Sequence, residues 1–134
     1  MKRIVFISLA ALLCLPVFAG CAKEEDPMEN TYQQITAQEA KAIMDTESGY
    51  TIIDARTEEE FAAGHIAGAI LIPEYEIAER AEAELPNKEA LILVYCRSGR
   101  RSKIASQELV KLGYTNVKEF GGIIDWPYEI TMED

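Results

Sequence analysis

The sequence predicts an α/β domain: a parallel sheet with helices on both faces. Three observations carry this expectation. Short β-branched or apolar runs alternate with stretches of helical character. The run Leu91-Ile-Leu-Val-Tyr95 is apolar without a break, as a strand buried on both faces requires. Two Thr-x-x-Glu boxes, at Thr36 and Thr57, mark helix starts.

In chain order, Thr36-Ala-Gln-Glu39 opens a helix to about Asp45, with Ala40, Ile43 and Met44 as its core stripe. Tyr50 to Ala55 follows Gly49 as a β-branched strand. Thr57-Glu-Glu-Glu60 opens a short helix through Ala63. Ile70 to Ile72 is a short strand ended by Pro73, which has no N–H to continue a ladder. Glu74 to Leu85 is an acidic helix with a solvated face. After the Leu91–Tyr95 strand, Ser102 to Leu112 is a helix stopped by Gly113. Val117 to Phe120 is the last strand, before Gly121-Gly122. There is no internal repeat and no low-complexity segment.

The first segment is a targeting signal. Lys2 and Arg3 precede an apolar stretch, Ile4 to Ala19, whose only polar side chain is Ser8. That stretch is shorter than the roughly 20 apolar residues a membrane-spanning helix needs, and Pro16 interrupts it. The order positive, apolar, small is that of a secretory signal peptide over residues 1–20. Its ending, Phe18-Ala19-Gly20-Cys21, resembles the lipobox of bacterial lipoproteins, although Phe18 replaces the usual aliphatic residue. The resemblance implies lipidation of Cys21; a plain cleavable signal is the alternative. Residues 21–30 then form the lipidated N-terminus and a polar tether, and 31–134 form the domain. The expected location is extracytoplasmic, lipid-anchored to a bacterial membrane, with no contact to the membrane beyond that lipid.

The chain of 134 residues suffices for one domain. Its formal charge is -10, and without the first 20 residues it is −12. So acidic a protein repels phosphate backbones, which excludes nucleic acid as a partner. Three cysteines and one histidine are too few for a Cys/His zinc site, so no metal is expected. Cys14 lies in the signal and Cys21 at the lipid site, so Cys96 stands alone in the domain. A lone thiol in an oxidising compartment is either a reactive group or a buried, inert one.

Its surroundings favour reactivity. Cys96 ends the most apolar strand, and ligands of open parallel sheets bind at strand carboxyl ends. The following Arg97-Ser98-Gly99-Arg100-Arg101 leads into a helix N-terminus, where free N–H groups and the helix dipole favour an anion. Gly99 lets that backbone curl around one centre. These effects lower the thiol pKa. Four cations, Arg97, Arg100, Arg101 and Lys103, fall within seven positions, while the rest of the mature chain carries −16. The cluster therefore focuses small oxyanions at Cys96, unless its side chains are spent on surface carboxylates.

Tyr95-Cys-Arg-Ser-Gly-Arg-Arg-Ser102 resembles the active-site loop of the rhodanese (sulfurtransferase) family. Ile53-Asp-Ala-Arg56 through Gly64-His-Ile-Ala-Gly68-Ala69, and Gly121-Gly-Ile-Ile-Asp-Trp126, match its two other signatures in order. The resemblance implies a rhodanese-like fold with a five-stranded, mostly parallel sheet. It also implies a sulfurtransferase that moves sulfur from a thiosulfate-like anion, through a persulfide on Cys96, to a thiol or cyanide acceptor. The loop from Arg97 to Arg101, Ser98 and Gly99 included, would cradle the persulfide, with Arg97, Arg100 and Arg101 as sulfonate ligands. No metal or organic cofactor is implied. The six-residue loop from Cys96 to Arg101 is one shorter than in related phosphatases and arsenate reductases, which favours sulfur over phosphate.

Supporting residues are expected as follows. Asp54 orients the loop indirectly, and Arg56 pairs with Glu60 across a helix start. Tyr95 packs, and Trp126 with Pro127 closes the core. His65, the only histidine, is structural rather than catalytic. Two other functions stay open at this point: an extracytoplasmic persulfide or redox relay serving a protein, and a binding module without turnover. Oligomeric state and the physiological donor and acceptor are open as well.

Overall fold

The computed structural model describes residues 31–133, so the expected signal peptide, the expected lipidation at Cys21 and the expected tether lie outside the described residues. The elements are β1 (Gln33–Gln34), α1 (Ala37–Thr46), β2 (Thr51–Asp54), α2 (Glu58–Ala62), β3 (Ala69–Leu71), α3 (Ile77–Glu84), β4 (Ile92–Cys96), α4 (Arg100–Lys111) and β5 (Val117–Gly122). Short 3-10 turns at Glu74–Glu76 and Ile123–Asp125 lead into α3 and out of β5.

The strands form one sheet in the order β1-β5-β4-β2-β3, and every ladder in it is parallel. Four strands match the sequence expectation. β1 does not appear in it because two exposed glutamines carry neither apolar character nor alternation; they are ordered by pairing with Lys118 and Glu119. The fifth strand implied by the family resemblance is this one.

β4 is buried along its whole length, and its alternation divides the interior. Ile92, Val94 and Cys96 face one core with Ile53, Ile77, Ala105 and Leu109, under α3 and α4. Leu93 and Tyr95 face the other, with Ala40, Ile52, Phe120 and Trp126, under α1. Trp126 stands in that second core beside Phe120 and Tyr128, as expected.

The first capping box forms completely: Glu39 N–H donates to Thr36 Oγ1 at 3.1 Å and Thr36 N–H to Glu39 Oε2 at 2.8 Å. The second is only half formed. Glu60 N–H donates to Thr57 Oγ1 at 3.3 Å, but the Glu60 carboxylate forks onto Arg101 and accepts from the Thr57 hydroxyl at 3.3 Å rather than from the cap's backbone N–H. The acidic Glu74–Leu85 segment is a 3-10 turn plus α3 rather than one helix, with Arg80 bridging Glu76 and Glu84 on its outer face. α4 starts at Arg100, two residues ahead of the expected Ser102.

Candidate active site

The connections that follow β2, β4 and β5 meet around the end of β4. There Cys96 is 1% exposed. Its pairing with Gly122 follows a register shift between Val94 and Cys96, an irregularity that ends regular pairing at the reactive end of the strand. The chain then turns back under itself. Gly99 adopts φ +103, a left-handed conformation, and its N–H donates to Cys96 Sγ at 3.0 Å. α4 begins at the next residue, so its first-turn N–H groups open beside the sulfur.

The loop is held from β5. Ile124 N–H donates to Arg97 O at 3.2 Å, and a Cβ on Gly122 would lie 2.1 Å from that same oxygen. Only a residue without a side chain lets the two backbones meet so closely.

Burial pushes the Cys96 thiol up, but hydrogen bonds outweigh it and leave the group below the ordinary thiol range. The largest of these comes from the Ser102 hydroxyl, 3.3 Å from Sγ, followed by the N–H groups of Ser102, Gly99 and Ser98. A sulfur so surrounded ionises more readily than a free thiol, and the thiolate is the nucleophilic form of the group.

The arginines divide. Arg97 and Arg100 are exposed and form no ion pair among the described residues. Arg101 is half-buried and forks onto Glu60 of α2, at 2.7 and 2.9 Å. Glu60 is lowered by that hydrogen bond, and Arg101 is raised. The expected Arg56–Glu60 pair is therefore a correction: Glu60 takes Arg101, and Arg56 takes Asp54. The reason is position. Arg56 lies before the helix, in the β2 connection, so its guanidinium reaches back to the end of β2.

That second pair is fully interior. Asp54 Oδ2 accepts from Arg56 Nη2 at 2.7 Å and from the Tyr95 hydroxyl at 2.6 Å, and Oδ1 accepts from Arg56 Nε at 2.9 Å. Arg56 also donates to Gly64 O at 2.7 Å, and the Tyr95 oxygen accepts from Ile66 N–H at 3.1 Å. Burial and the neighbouring Asp54 push the Tyr95 phenol up, so it remains a donor. Tyr95 is thus more than packing: with Asp54 and Arg56 it ties β2, β4 and the Gly64–Ile66 turn together. The Asp54 carboxylate has Arg56 and Tyr95 as its partners and makes no hydrogen bond to the Arg97–Arg101 loop.

The His65 ring makes its hydrogen bonds to Phe61 O and Glu133 O and none to Cys96 or its loop among the described residues. It is 2% exposed, stacked on Phe61 at 3.6 Å between ring centroids, with Nδ1 2.8 Å from Phe61 O. Its backbone pairs with Thr131 in both directions at 2.8 Å, which pins the C-terminal segment.

Sequence reasoning gave no role to Ser102, and it missed its partner altogether. Glu119, on β5, is 3% exposed and reaches Ser102 Oγ at 2.6 Å. The signal was present: a carboxylate two positions after Val117 shares the core-facing side of a short strand.

Among the described residues, no three His, Cys, Asp or Glu side chains gather into a set that could hold a metal ion. No helix among them is long and apolar enough to cross a membrane.

A family model described as "Rhodanese-like domain" matches residues 36–127. The chain belongs to the rhodanese-like family. The Thiosulfate sulfurtransferase PspE of Escherichia coli is 41% identical over 73 residues, covering 54% of this chain and 70% of that one. A protein named Sulfurtransferase from Allochromatium vinosum is 39% identical over 88 residues, 65% of this chain and 79% of that one. Among solved structures, "rhodanese with anions from E. coli" superposes on this rhodanese domain with a TM-score of 0.59 at 36% identity, covering 63% of this chain and 99% of that one. The sheet order and parallel ladders described above are those of a rhodanese-like α/β fold.

Proposed function

We propose that this rhodanese domain is a sulfurtransferase working by double displacement at Cys96. The observation that carries the reading is the sulfur itself: a buried thiol receiving the Gly99 N–H at 3.0 Å, at the mouth of a helix, beside two uncommitted arginines. The Cys96 thiolate attacks the outer sulfur of a thiosulfate-like anion. A new S–S bond forms, the donor's own S–S bond breaks, and sulfite leaves with that electron pair. The persulfide then passes its terminal sulfur to a thiol or to cyanide, which regenerates the thiolate. The N–H groups from Arg97 to Arg101, with that of Gly99 3.0 Å from the sulfur, receive the persulfide charge. The names of the relatives above support this class of donor.

The arginine roles follow from the ion pairs. Arg97 and Arg100 bind the donor's sulfonate. Arg101, spent on Glu60, instead fixes the loop against α2. Replacing Arg97 or Arg100 by Gln is expected to raise KM for thiosulfate by roughly ten- to a hundredfold each, with a smaller change in kcat, because a charge-assisted hydrogen bond contributes about 1.5–3 kcal/mol. Steady-state kinetics of cyanide-dependent thiosulfate consumption measure this; an unchanged KM in both variants would remove these two residues from donor binding.

The place of action is part of the same proposal. Signal residues 1–20, lipidation at Cys21 and a polar tether that at roughly 3.3–3.6 Å per residue spans about 30 Å put the domain outside the cytoplasm, on a bacterial membrane surface. The support is the order of residue types in that segment.

A further inference from the structure

β5 carries a residue that packing does not call for. Val117 faces the core under α3 and α4, while Phe120 faces the opposite core. Glu119 shares the side of Val117 and meets the first turn of α4. Its Oε1 accepts from Ser102 Oγ at 2.6 Å and from Gly121 N–H at 2.8 Å. No cation forms an ion pair with it among the described residues. Ser102, wholly buried, stands between Glu119 and the nucleophile, with Oγ 3.3 Å from Cys96 Sγ.

A hydroxyl has one proton to give. Its acceptors here are Glu119 Oε1 at 2.6 Å, Gly99 O at 3.1 Å and Gly121 O at 3.4 Å, and when the shortest of these takes it a lone pair of Ser102 Oγ is left toward the sulfur. That arrangement suits a thiol, whose S–H can donate. A thiolate needs the reverse: Ser102 must donate to sulfur, and its oxygen must accept from a protonated Glu119.

We propose that Glu119 is the proton acceptor for Cys96, acting through Ser102. On ionisation the Cys96 S–H bond breaks and that proton binds Ser102 Oγ. The original Ser102 O–H bond breaks and its proton binds Glu119 Oε1. Nothing is oxidised or reduced, and one proton has moved from sulfur to the carboxyl group. Glu119 becomes neutral as the thiolate forms, so no second negative charge stands behind the sulfur when an anionic donor approaches. Glu119 is a positioning residue in this scheme, since it reaches the sulfur only through Ser102. The inference rests on Cys96 as the nucleophile.

The other charged groups nearby have their own places. Arg97 and Arg100 lie on the exposed side of the loop. Arg101 is paired with Glu60 of α2, and Asp54 of β2 is tied to Arg56. On β5 itself, Lys118 points to the other side of the sheet; β1 contributes only Gln33 and Gln34. On α3, Arg80 is engaged by Glu76 and Glu84.

The test is the pH profile of Cys96 alkylation by iodoacetamide in the intact protein, read by mass on the peptide that carries Cys96. Two groups sharing one proton titrate as a coupled pair, so the wild type is expected to show two inflections. Glu119→Gln keeps an oxygen for Ser102 and Gly121 but cannot take the proton, and is expected to lose one inflection. Ser102→Ala cuts the connection; it is expected to show one inflection and to slow alkylation at the acid end by on the order of tenfold. A single inflection in the wild type, or a Glu119→Gln profile that superimposes on it, overturns the proposal; the latter is what a purely structural Glu119 would give. If the variants do not fold, the wild type alone decides. Alkylation at neutral pH should then remove a protonated-carboxyl band from the infrared difference spectrum, and its absence is contradictory. Alkylation needs no sulfur donor, so a protein that transfers no sulfur yet shows two inflections keeps this inference and loses the sulfurtransferase reading.

Discussion

Asp54→Ala is expected to cost about 3–5 kcal/mol of folding stability, the range for removing one partner of a buried ion pair. Asp54 is wholly inaccessible and Arg56 is 5% exposed, so solvent does not replace the lost carboxylate. The substitution strands three donor groups at once: the Arg56 guanidinium, the Arg56 backbone N–H that donates to Asp54 Oδ1 at 3.0 Å, and the Tyr95 hydroxyl that donates to Asp54 Oδ2 at 2.6 Å. Against a typical domain stability of about 5–15 kcal/mol, that loss is large. Urea unfolding should show a lower midpoint at an unchanged slope. A fall below about 1 kcal/mol, the level of an exposed pair, would contradict the interior reading of this cluster.

Gly122→Ala carries the second large effect, this time on activity. Its new methyl group would stand 2.1 Å from Arg97 O, 2.5 Å from Arg97 C and 2.6 Å from Ser98 Cα. All three are backbone, with no flexible side chain to yield. The loop that presents Gly99 N–H to Cys96 must therefore move, and misplacement by about 1 Å at a reacting centre costs on the order of a hundredfold in rate. Overpacking adds about 1–3 kcal/mol of destabilisation. Gly49→Ala is the control. Gly49 has φ +76 with nothing within 4 Å of the added carbon, so backbone strain of about 1–2 kcal/mol is expected there with the rate retained. Equal losses of rate in the two variants would show that the close approach of β5 to the loop is not what shapes the site.

These two variants mark what was and was not visible in the residues alone. The Cys96 loop was legible because its chemistry is local: a thiol, a glycine and clustered arginines within seven positions, after an apolar strand. The strands and helices at the centre were legible from periodicity and caps. β1 was not, since Gln33 and Gln34 become a strand only by pairing with β5. The half-formed box at Thr57 failed for a related reason. Glu60 had two possible partners, and Arg101, 41 residues away, took it. The same long-range geometry hid the roles of Tyr95 and Glu119. Tyr95 stands on an apolar strand, so its hydroxyl looked like packing until Asp54 met it from β2. Glu119 is a charged residue on a core-facing strand position, and its partner Ser102 is 17 residues away.

The central claim is that Cys96 carries sulfur. The most direct test is the intact mass of the purified protein before and after thiosulfate, beside a Cys96→Ala control. A gain of one sulfur atom, removed by cyanide or thiol and missing from the control, is the predicted result. An unchanged mass, with Cys96 still open to alkylation after thiosulfate, would contradict it.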